Sequence, residues 1–416
     1  MSSKAQTQAD LGWGAGPSLR YDDLAVRFRP LFQRIRERAV ARDLARDLPF
    51  EEINWLREAG FTALRLPAEW GGSGATLPEF FNLLIELSEA DTNVTNALRS
   101  HFGFTEDVLN AKDEAWRRIW LERIGQGELI GSGFSEPGEG KTIGTYSTTL
   151  VSDGEKFIVN GEKYYTSGSL FADWINLGAK NADDVTVGAL VPARAPGVDV
   201  IDDWDGFGQA LSASGTTRFS DVVIDADLVS PIGLRCRYVK GFFQLVHLAS
   251  LAGLGRAAAS DVARLVAERT RVYAHGNGSR SSEDPQVLQV VGQVRGAAYA
   301  AGAIVLKAAE ALQRVYEAAP EALDSGEDKS GVLADLEVSQ AVTVVTNLIL
   351  DATTILFDAL GASAVKRGLG LDRYWRNART ISSHNPRIYH QRNIGHFAVN
   401  GVYPNPYFEQ GGAKPS

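Results

Sequence analysis

A short β-rich module set between two helical blocks constrains the fold more than any other feature of this chain. Between Gly125 and Trp174 the sequence reads as three or four short strands joined by tight turns. Residues 129–135 are apolar and small, and Glu136-Pro137-Gly138 breaks them. Residues 147–151 and 157–165 alternate roughly with the two-residue period of half-buried strands. Ser152-Asp153-Gly154 and Asn160-Gly161 supply turn chemistry beside them. Strands at 174–178, 185–191, 198–201 and 216–224 extend the module, and Pro231-Ile232-Gly233 marks its end.

Both flanks read as helix. Residues 21–46 place Leu24, Phe28, Leu31, Phe32 and Ile35 at helical spacing, with Pro30 inside as a kink or break. A second helix, 50–59, stops at Gly60. Leu77-Pro78 opens a third, and 93–110 and 115–123 complete the block. After the module, helices span 238–273, 285–316 and 332–360, separated by a Gly/Ser-rich loop at 275–284 and a polar linker at 320–330. The loop is a candidate lid on composition. Long helices rich in Ala and Val suggest an antiparallel four-helix bundle, a common oligomer interface. The expected architecture is α+β: an N-terminal α-helical domain (18–125), a middle β domain (126–236) forming a barrel or sandwich, and a C-terminal four-helix-bundle domain (237–416).

Composition narrows the function. A net charge of −9 argues against nucleic acid or an anionic membrane as partner. The N-terminal residues lack the apolar run of a signal peptide, and Asn347 and Asp351 interrupt the apolar stretch at 342–360, so no membrane span is expected. A single cysteine, Cys236, excludes an internal disulfide and fits a cytoplasmic protein. The only methionine is Met1. So little sulfur suggests a protein made when sulfur is scarce, with transcript levels expected to rise under sulfate limitation. Gly253-Leu254-Gly255-Arg256-Ala257-Ala258 fits a dinucleotide fingerprint by letter, but no strand precedes it, so close helix packing is expected instead. His384, His390 and His396 do not share one helical face, and no metal site is expected.

Four motifs, in order along the chain, carry a resemblance. They are Leu66-Pro67-Ala68-Glu69-Trp70-Gly71-Gly72, Phe134-Ser135-Glu136-Pro137-Gly138, Asn160-Gly161-Glu162-Lys163 with Tyr165-Thr166-Ser167, and Asp372-Arg373-Tyr374-Trp375-Arg376-Asn377-Ala378-Arg379. Together they resemble the acyl-CoA dehydrogenase superfamily of flavoproteins. That resemblance implies a flavin lying against the 134–135 and 165–167 segments, and homotetramers formed through the bundle. A dehydrogenase of this kind needs a carboxylate to take a proton beside the thioester carbonyl. The two matching segments, Gln244-Leu245-Val246-His247 and Ile381-Ser382-Ser383-His384-Asn385-Pro386, contain none.

The ending resembles instead the reduced-flavin-dependent monooxygenase branch. It runs Trp375-Arg376-Asn377-Ala378-Arg379-Thr380, then His384-Asn385-Pro386, then Asn400-Gly401-Val402-Tyr403-Pro404. Members of that branch receive reduced FMN (FMNH2) by diffusion from a separate NAD(P)H:FMN reductase. They react it with O2 to a flavin C4a-hydroperoxide and oxygenate small organosulfur compounds or amines. The resemblance implies Ser167 beside the flavin N5, His384 as a proton donor and acceptor, and His101 as a further pocket histidine. Asn96 stands where the branch often has another histidine. Phe134, Ser135, Tyr165 and Thr166 would contact the flavin. Arg269, Arg271, Lys366 and Arg367 are the candidates for its phosphate. Asp358, Ala362 and Ala364 depart from a motif that contacts flavin across the subunit interface, which suits loss of the adenosine half of FAD. Phe102, Phe104, Tyr164, Phe207 and Ser214 are candidates for the substrate pocket. The expected activity is oxygenation of a small organosulfur substrate in sulfur scavenging. The alternatives are N-hydroxylation of an amine with the same flavin chemistry, and an FAD-dependent acyl-CoA dehydrogenase.

Overall fold

The computed structural model describes residues 11–138, 146–231, 236–319, 325–326 and 328–403. The first ten residues, the end of the β module at 232–235, most of the linker at 320–327 and the chain from Pro404 onward lie outside the described residues.

Five helices form the N-terminal block: α1 (Tyr21–Ala45), α2 (Phe50–Glu58), α3 (Leu77–Ala90), α4 (Thr92–Leu109) and α5 (Glu114–Gly125). Pro30 lies inside α1 without ending it. The carbonyl it leaves unbonded belongs to Val26, an exposed residue, so water can satisfy it. A capping box opens α3: Thr76 accepts from the Glu79 N–H, and the Glu79 carboxylate accepts from the Thr76 N–H. The start of α4 is fixed by Asp91, which caps Asn93 and takes the buried Arg42 at 2.8 Å. Arg42 also reaches Glu52 at 2.7 Å, so one buried guanidinium joins α1, α2 and α4.

The middle block is one eight-stranded mixed sheet: β1 (Ile130–Gly133), β2 (Thr149–Asp153), β3 (Lys156–Lys163), β4 (Trp174–Lys180), β5 (Thr186–Pro192), β6 (Val198–Val200), β7 (Thr217–Asp225) and β8 (Val229–Pro231). The strand order is β6-β7-β3-β2-β4-β5-β8, with β1 paired parallel to β4. Phe219, Val222 and Ile224 of β7 point inward with Leu150, Val159, Ile175, Leu177 and Val191, giving the sheet its own apolar core. Strands β6 and β8 end the order at opposite edges, so among the described residues this barrel-like sheet is open rather than closed.

The C-terminal block contains α6 (Val239–Glu268), α7 (Pro285–Glu317), α8 (Ser330–Ile355), α9 (Asp372–Ser382) and α10 (Ile388–Asn400). The three long helices pack on one another, and α9 and α10 pack against α8. Helix α6 is buried on nearly every side and also packs on α3 and α4. Phe80 and Phe81 of α3 meet Phe242 of α6, so the two helical blocks share one core. A Cβ on Gly253 would lie 2.3 Å from the Ile85 carbonyl oxygen. The glycine-rich segment therefore serves close packing of α6 on α3. The stretch Ser330–Ala359 is long and apolar enough to cross a membrane, but here it packs within the bundle.

Two expectations change. Helix α6 ends at Glu268 rather than near residue 273, because Arg269 turns extended and donates to the Leu360 carbonyl. The 275–284 loop is tied down at that same end of α6. Asp284 accepts from the backbone of Asn277 and Gln286, and Ser281 donates to the Arg271 carbonyl. It is no lid over the His247 end of the helix.

Candidate active site

The two motif segments at 134–138 and 160–167 are joined by a buried ion pair. Glu136 accepts from Lys163 Nζ at 2.8 Å, and both side chains are fully enclosed. The same carboxylate accepts from the backbone and hydroxyl groups of Ser147 and Thr148. Lys163 also donates to the Gly178 carbonyl at 2.6 Å and lies over the Tyr146 ring. Burial disfavours the Glu136 charge, but the Lys163 bond and the Ser147 and Thr148 donors outweigh it and hold its pKa well below the usual range. Ser135 bridges Tyr164, so this clamp fixes the chain that leads into Tyr165-Thr166-Ser167.

Beyond the clamp the backbone is strained. Tyr165 takes φ +58°, and on the facing loop Gln209 and Ala213 take +52° and +50°. Such conformations cost roughly 1–3 kcal/mol each in a non-glycine residue and persist only where the surroundings impose them. They expose the Tyr165 ring, 57% accessible, and turn Ser167 inward. Ser167 Oγ lies 2.6 Å from Ser214 Oγ, Ser214 Oγ lies 2.8 Å from Ser212 Oγ, and Ser212 donates to the Gln209 carbonyl at 2.7 Å. A carbonyl can only accept, so the proton directions follow. Ser212 spends its hydrogen on Gln209, Ser214 therefore donates to Ser212, and Ser167 donates to Ser214. The Ser167 lone pair is left to accept from a donor outside the chain of hydroxyls. Thr166 is also engaged, donating to the Gly215 carbonyl at 2.9 Å.

After Ser167 the chain runs directly against α4. Gly168 has φ +81°, and a Cβ there would sit 2.0 Å from the Ala97 carbonyl oxygen, so only glycine fits. Helix α4 and α9 both hold the 207–215 loop: Thr92 and Asn93 bind Gln209 and Leu211, and Asn377 accepts from the Gln209 N–H at 2.7 Å. Two residues past Ala97, Arg99 Nη2 lies 3.1 Å from His384 Nε2. Arginine can only donate, so His384 Nε2 is the acceptor, and the neutral ring carries its proton on Nδ1. His247 packs on His384 with ring centres 4.5 Å apart. A small cavity lies beside them, lined by Gln244, His247, Ile381, Ser382 and Asn385 among others. The two segments that could have supplied a carboxylate base thus meet at one place. Among the described residues they bring two histidines, and α4 adds an arginine.

Several expected roles change. One edge of His384 is open, yet its ring is crowded by protein, and burial followed by the Arg99 charge lowers its pKa to about 3. It is a neutral acceptor here rather than a group poised near pH 7. His101 is 1% exposed, and both ring nitrogens are used, one on the Thr62 carbonyl and one on the Ile130 N–H. Burial lowers its pKa to about 4. It is a neutral staple between α4 and β1, not a catalytic group. Phe102, 2% exposed, packs between Phe61 and Phe80. Phe104, 3% exposed, packs on Trp116 and Trp120. Both belong to the core. Ser214 stands behind Ser167 in the hydroxyl chain. The Tyr164 ring packs at a tilt against Tyr165, and Phe207 lies exposed against Trp375 at the rim. Phe134 and Ser135 are half-buried beside the clamp.

Arg269 and Arg271 lie just past the other end of α6, where Arg269 donates to the Leu360 carbonyl; Lys366 and Arg367 follow Leu360 in the chain. At about 1.5 Å per residue, that end is about 33 Å along α6 from His247. The sequence reading gave no role to Arg99 or His247. Each is a polar residue on a mostly buried helix, which is ordinarily read as a solvated side chain or a packed histidine, and the contact that joins them to His384 is long-range.

Family models agree with this architecture across most of the chain. The acyl-CoA dehydrogenase N-terminal domain matches residues 28–128, its middle domain 131–222 and its C-terminal domain 245–386. A dibenzothiophene monooxygenase of Rhodococcus qingshengii is 28% identical over 93% of this chain and 95% of its own. A probable FMNH2-dependent monooxygenase, SfnC, of Pseudomonas putida is 24% identical over 91% of this chain and 95% of its own. The crystal structure of TdsC from Paenibacillus sp. A11-2 with FMN and indole superposes with a TM-score of 0.84 at 25% identity, covering 94% of this chain and 100% of that one. With its helical, sheet and bundle blocks all matched in order, the chain belongs to the acyl-CoA dehydrogenase family.

Proposed function

We propose that this chain is a two-component, FMNH2-dependent monooxygenase that oxygenates a small organosulfur compound. One observation carries the reading. Where a thioester dehydrogenase needs a carboxylate, the chain brings His247, His384 and Arg99 together with none. The relatives named above, a dibenzothiophene monooxygenase and an FMNH2-dependent monooxygenase, support the same chemistry. The missing base also disfavours the FAD-dependent dehydrogenase.

The residues present suit a reduced flavin. Ser167 offers an outward lone pair, which matches the N5–H of the reduced ring and not the unprotonated N5 of the oxidised one. The exposed Tyr165 ring and the half-buried Phe134 are apolar surface for a planar ring system. When bound, reduced FMN supplies two of the electrons that reduce O2, the other two coming from the substrate. Ser167 orients through the hydroxyl chain, the Glu136–Lys163 clamp keeps the Ser167 turn in place, and Arg99 fixes the neutral His384 ring through Nε2.

The phosphate ligands require a second copy of the chain. The ribityl chain of FMN is far shorter than the distance from His247 to Arg269 and Arg271. Those arginines, with Lys366 and Arg367, are therefore assigned to the flavin of a neighbouring subunit in a homo-oligomer, a tetramer by family habit. The working partner is an NAD(P)H:FMN reductase acting by flavin diffusion, in the cytoplasm.

The test is aerobic turnover with an FMN reductase and NADH. Conversion of an organosulfur compound that stops when the reductase is omitted is expected. Failure to oxygenate any sulfide, sulfone or sulfinate would end the proposal.

A further inference from the structure

Arg99 is a half-buried cation without an anion among the described residues. Its Nε is enclosed and unpartnered, its guanidinium carbon lies 4.9 Å from the Phe243 ring centre, and its one side-chain hydrogen bond goes to a neutral histidine. Among the described residues no carboxylate pairs with it. Burial lowers its pKa to about 10, which leaves it charged at neutral pH. His247 is 4% exposed, and neither of its ring nitrogens has a partner. Buried charges and polar groups are ordinarily satisfied. Here Arg99 Nε and both His247 nitrogens come together without a partner among the described residues, beside His384, whose Nε2 accepts from Arg99 and whose ring also bonds the Asn385 side chain.

We infer that Arg99, His247 and His384 form a receptor for a small oxyanion, and that the substrate of the proposed oxygenase is an organosulfinate. This rests on the oxygenase reading of the same site. A guanidinium binds two oxygens of an anion through parallel, charge-assisted hydrogen bonds. A neutral thiophene gains nothing from it, a sulfone can accept its hydrogen bonds but brings no charge to pair with it, and a protonated amine is repelled, which sets aside N-hydroxylation. A sulfonate presents the same charge but has no lone pair on sulfur to take up oxygen; a sulfinate has both. The reaction balances as RSO2− + O2 + FMNH2 → RSO3− + FMN + H2O. One S–O bond forms and the O–O bond breaks. Sulfur gives two electrons and FMNH2 gives two, and the second oxygen atom leaves as water with the two flavin hydrogens. The adjoining cavity is small and mixed, with Leu248, Leu251, Val342 and Ile381 beside Gln244, Thr346, Ser382, Asn385 and Arg387, so R is small.

The experiment is calorimetric titration of the full-length, flavin-free protein with methanesulfinate, with inorganic phosphate and FMN as comparison probes. The wild type is expected to bind methanesulfinate more tightly than phosphate. Arg99→Gln should weaken it about 10- to 100-fold, the worth of one hydrogen bond to a charged group. Arg99→Lys, which keeps the charge but not the fork, should fall between. In turnover, KM for methanesulfinate should rise by a similar factor in Arg99→Gln, with kcat changing less. Because Arg99→Gln removes an unpaired, half-buried charge, its thermal midpoint should stay at or above that of the wild type, which shows that the variant is folded. Unchanged methanesulfinate affinity in Arg99→Gln overturns the inference, as does equal binding of phosphate. If Arg99→Gln weakens FMN as much as methanesulfinate, the anion is the flavin phosphate and the inference fails. Failure of the oxygenase reading looks different: methanesulfinate would bind through Arg99, but reduced FMN and O2 would react as they do without protein.

Discussion

At the residue scale, the chain of hydroxyls behind Ser167 sets what that serine can do. Its proton is committed inward because Ser212 must donate to a carbonyl. Ser167→Ala removes the outward acceptor and should shorten the life of the flavin–oxygen species at least 10-fold, read by stopped-flow absorbance. Ser214→Ala leaves the Ser167 proton without its partner and should shorten it less. His101 makes a separate prediction about acid. Its folded pKa of about 4 lies below the unfolded value of about 6.5. The unfolded state therefore binds more protons between these limits, and stability falls as pH drops from 6.5, with the loss complete below pH 4. The loss from this one group is at most about 3 kcal/mol. His101→Gln, which can still donate to Thr62 and accept from Ile130, should flatten that part of the curve in urea unfolding across pH 4–7.

At the scale of elements, the site hangs on the Glu136–Lys163 clamp between the turn before β2 and the end of β3. Glu136→Gln leaves Lys163 buried beside a neutral amide. The cost should be about 3–5 kcal/mol, as for other broken buried pairs, with FMN affinity falling as the Tyr165–Ser167 turn loosens. Denaturant midpoints and a flavin titration would measure both. The elements themselves were legible in the sequence. Alternation marked β7, Pro78 marked the start of α3, and the helical stripe of α1 was plain despite Pro30. The motif turn was legible too, but not why its carboxylate is there, since Glu136 and Lys163 are joined only in the folded chain. The faces of α4 were misread for a similar reason. Asn96, Arg99 and Gly103 share one side of that helix at spacings of three and four, while Phe102 and Phe104 point into apolar cores. Arg99 finds His384 across 285 residues of chain, a pairing no local pattern records.

At the scale of the molecule, α6 separates the two ends of the proposed site. His247 lies near its start and Arg269 just past its end. On the proposed reading the first faces the reacting centre and the second a flavin phosphate, and a site assembled from both needs two chains. Arg271→Ala should raise the FMN dissociation constant about 10-fold or more, and so should Ser167→Ala lower turnover in its own subunits. Oligomers reconstituted from a mixture of the two variants should recover part of the wild-type rate, because some sites then take both intact halves. Sedimentation of each variant would verify that assembly is unchanged. No recovery in mixed oligomers would return the phosphate site to a single chain.

The central claim, that this acyl-CoA dehydrogenase fold has become an oxygenase, is most directly tested by mixing the protein with photoreduced FMN and then with oxygenated buffer while recording the near-ultraviolet spectrum. A long-lived species distinct from both reduced and oxidised flavin, shortened in Ser167→Ala, is the expected result. Immediate appearance of oxidised FMN, at the rate seen without protein, would contradict it.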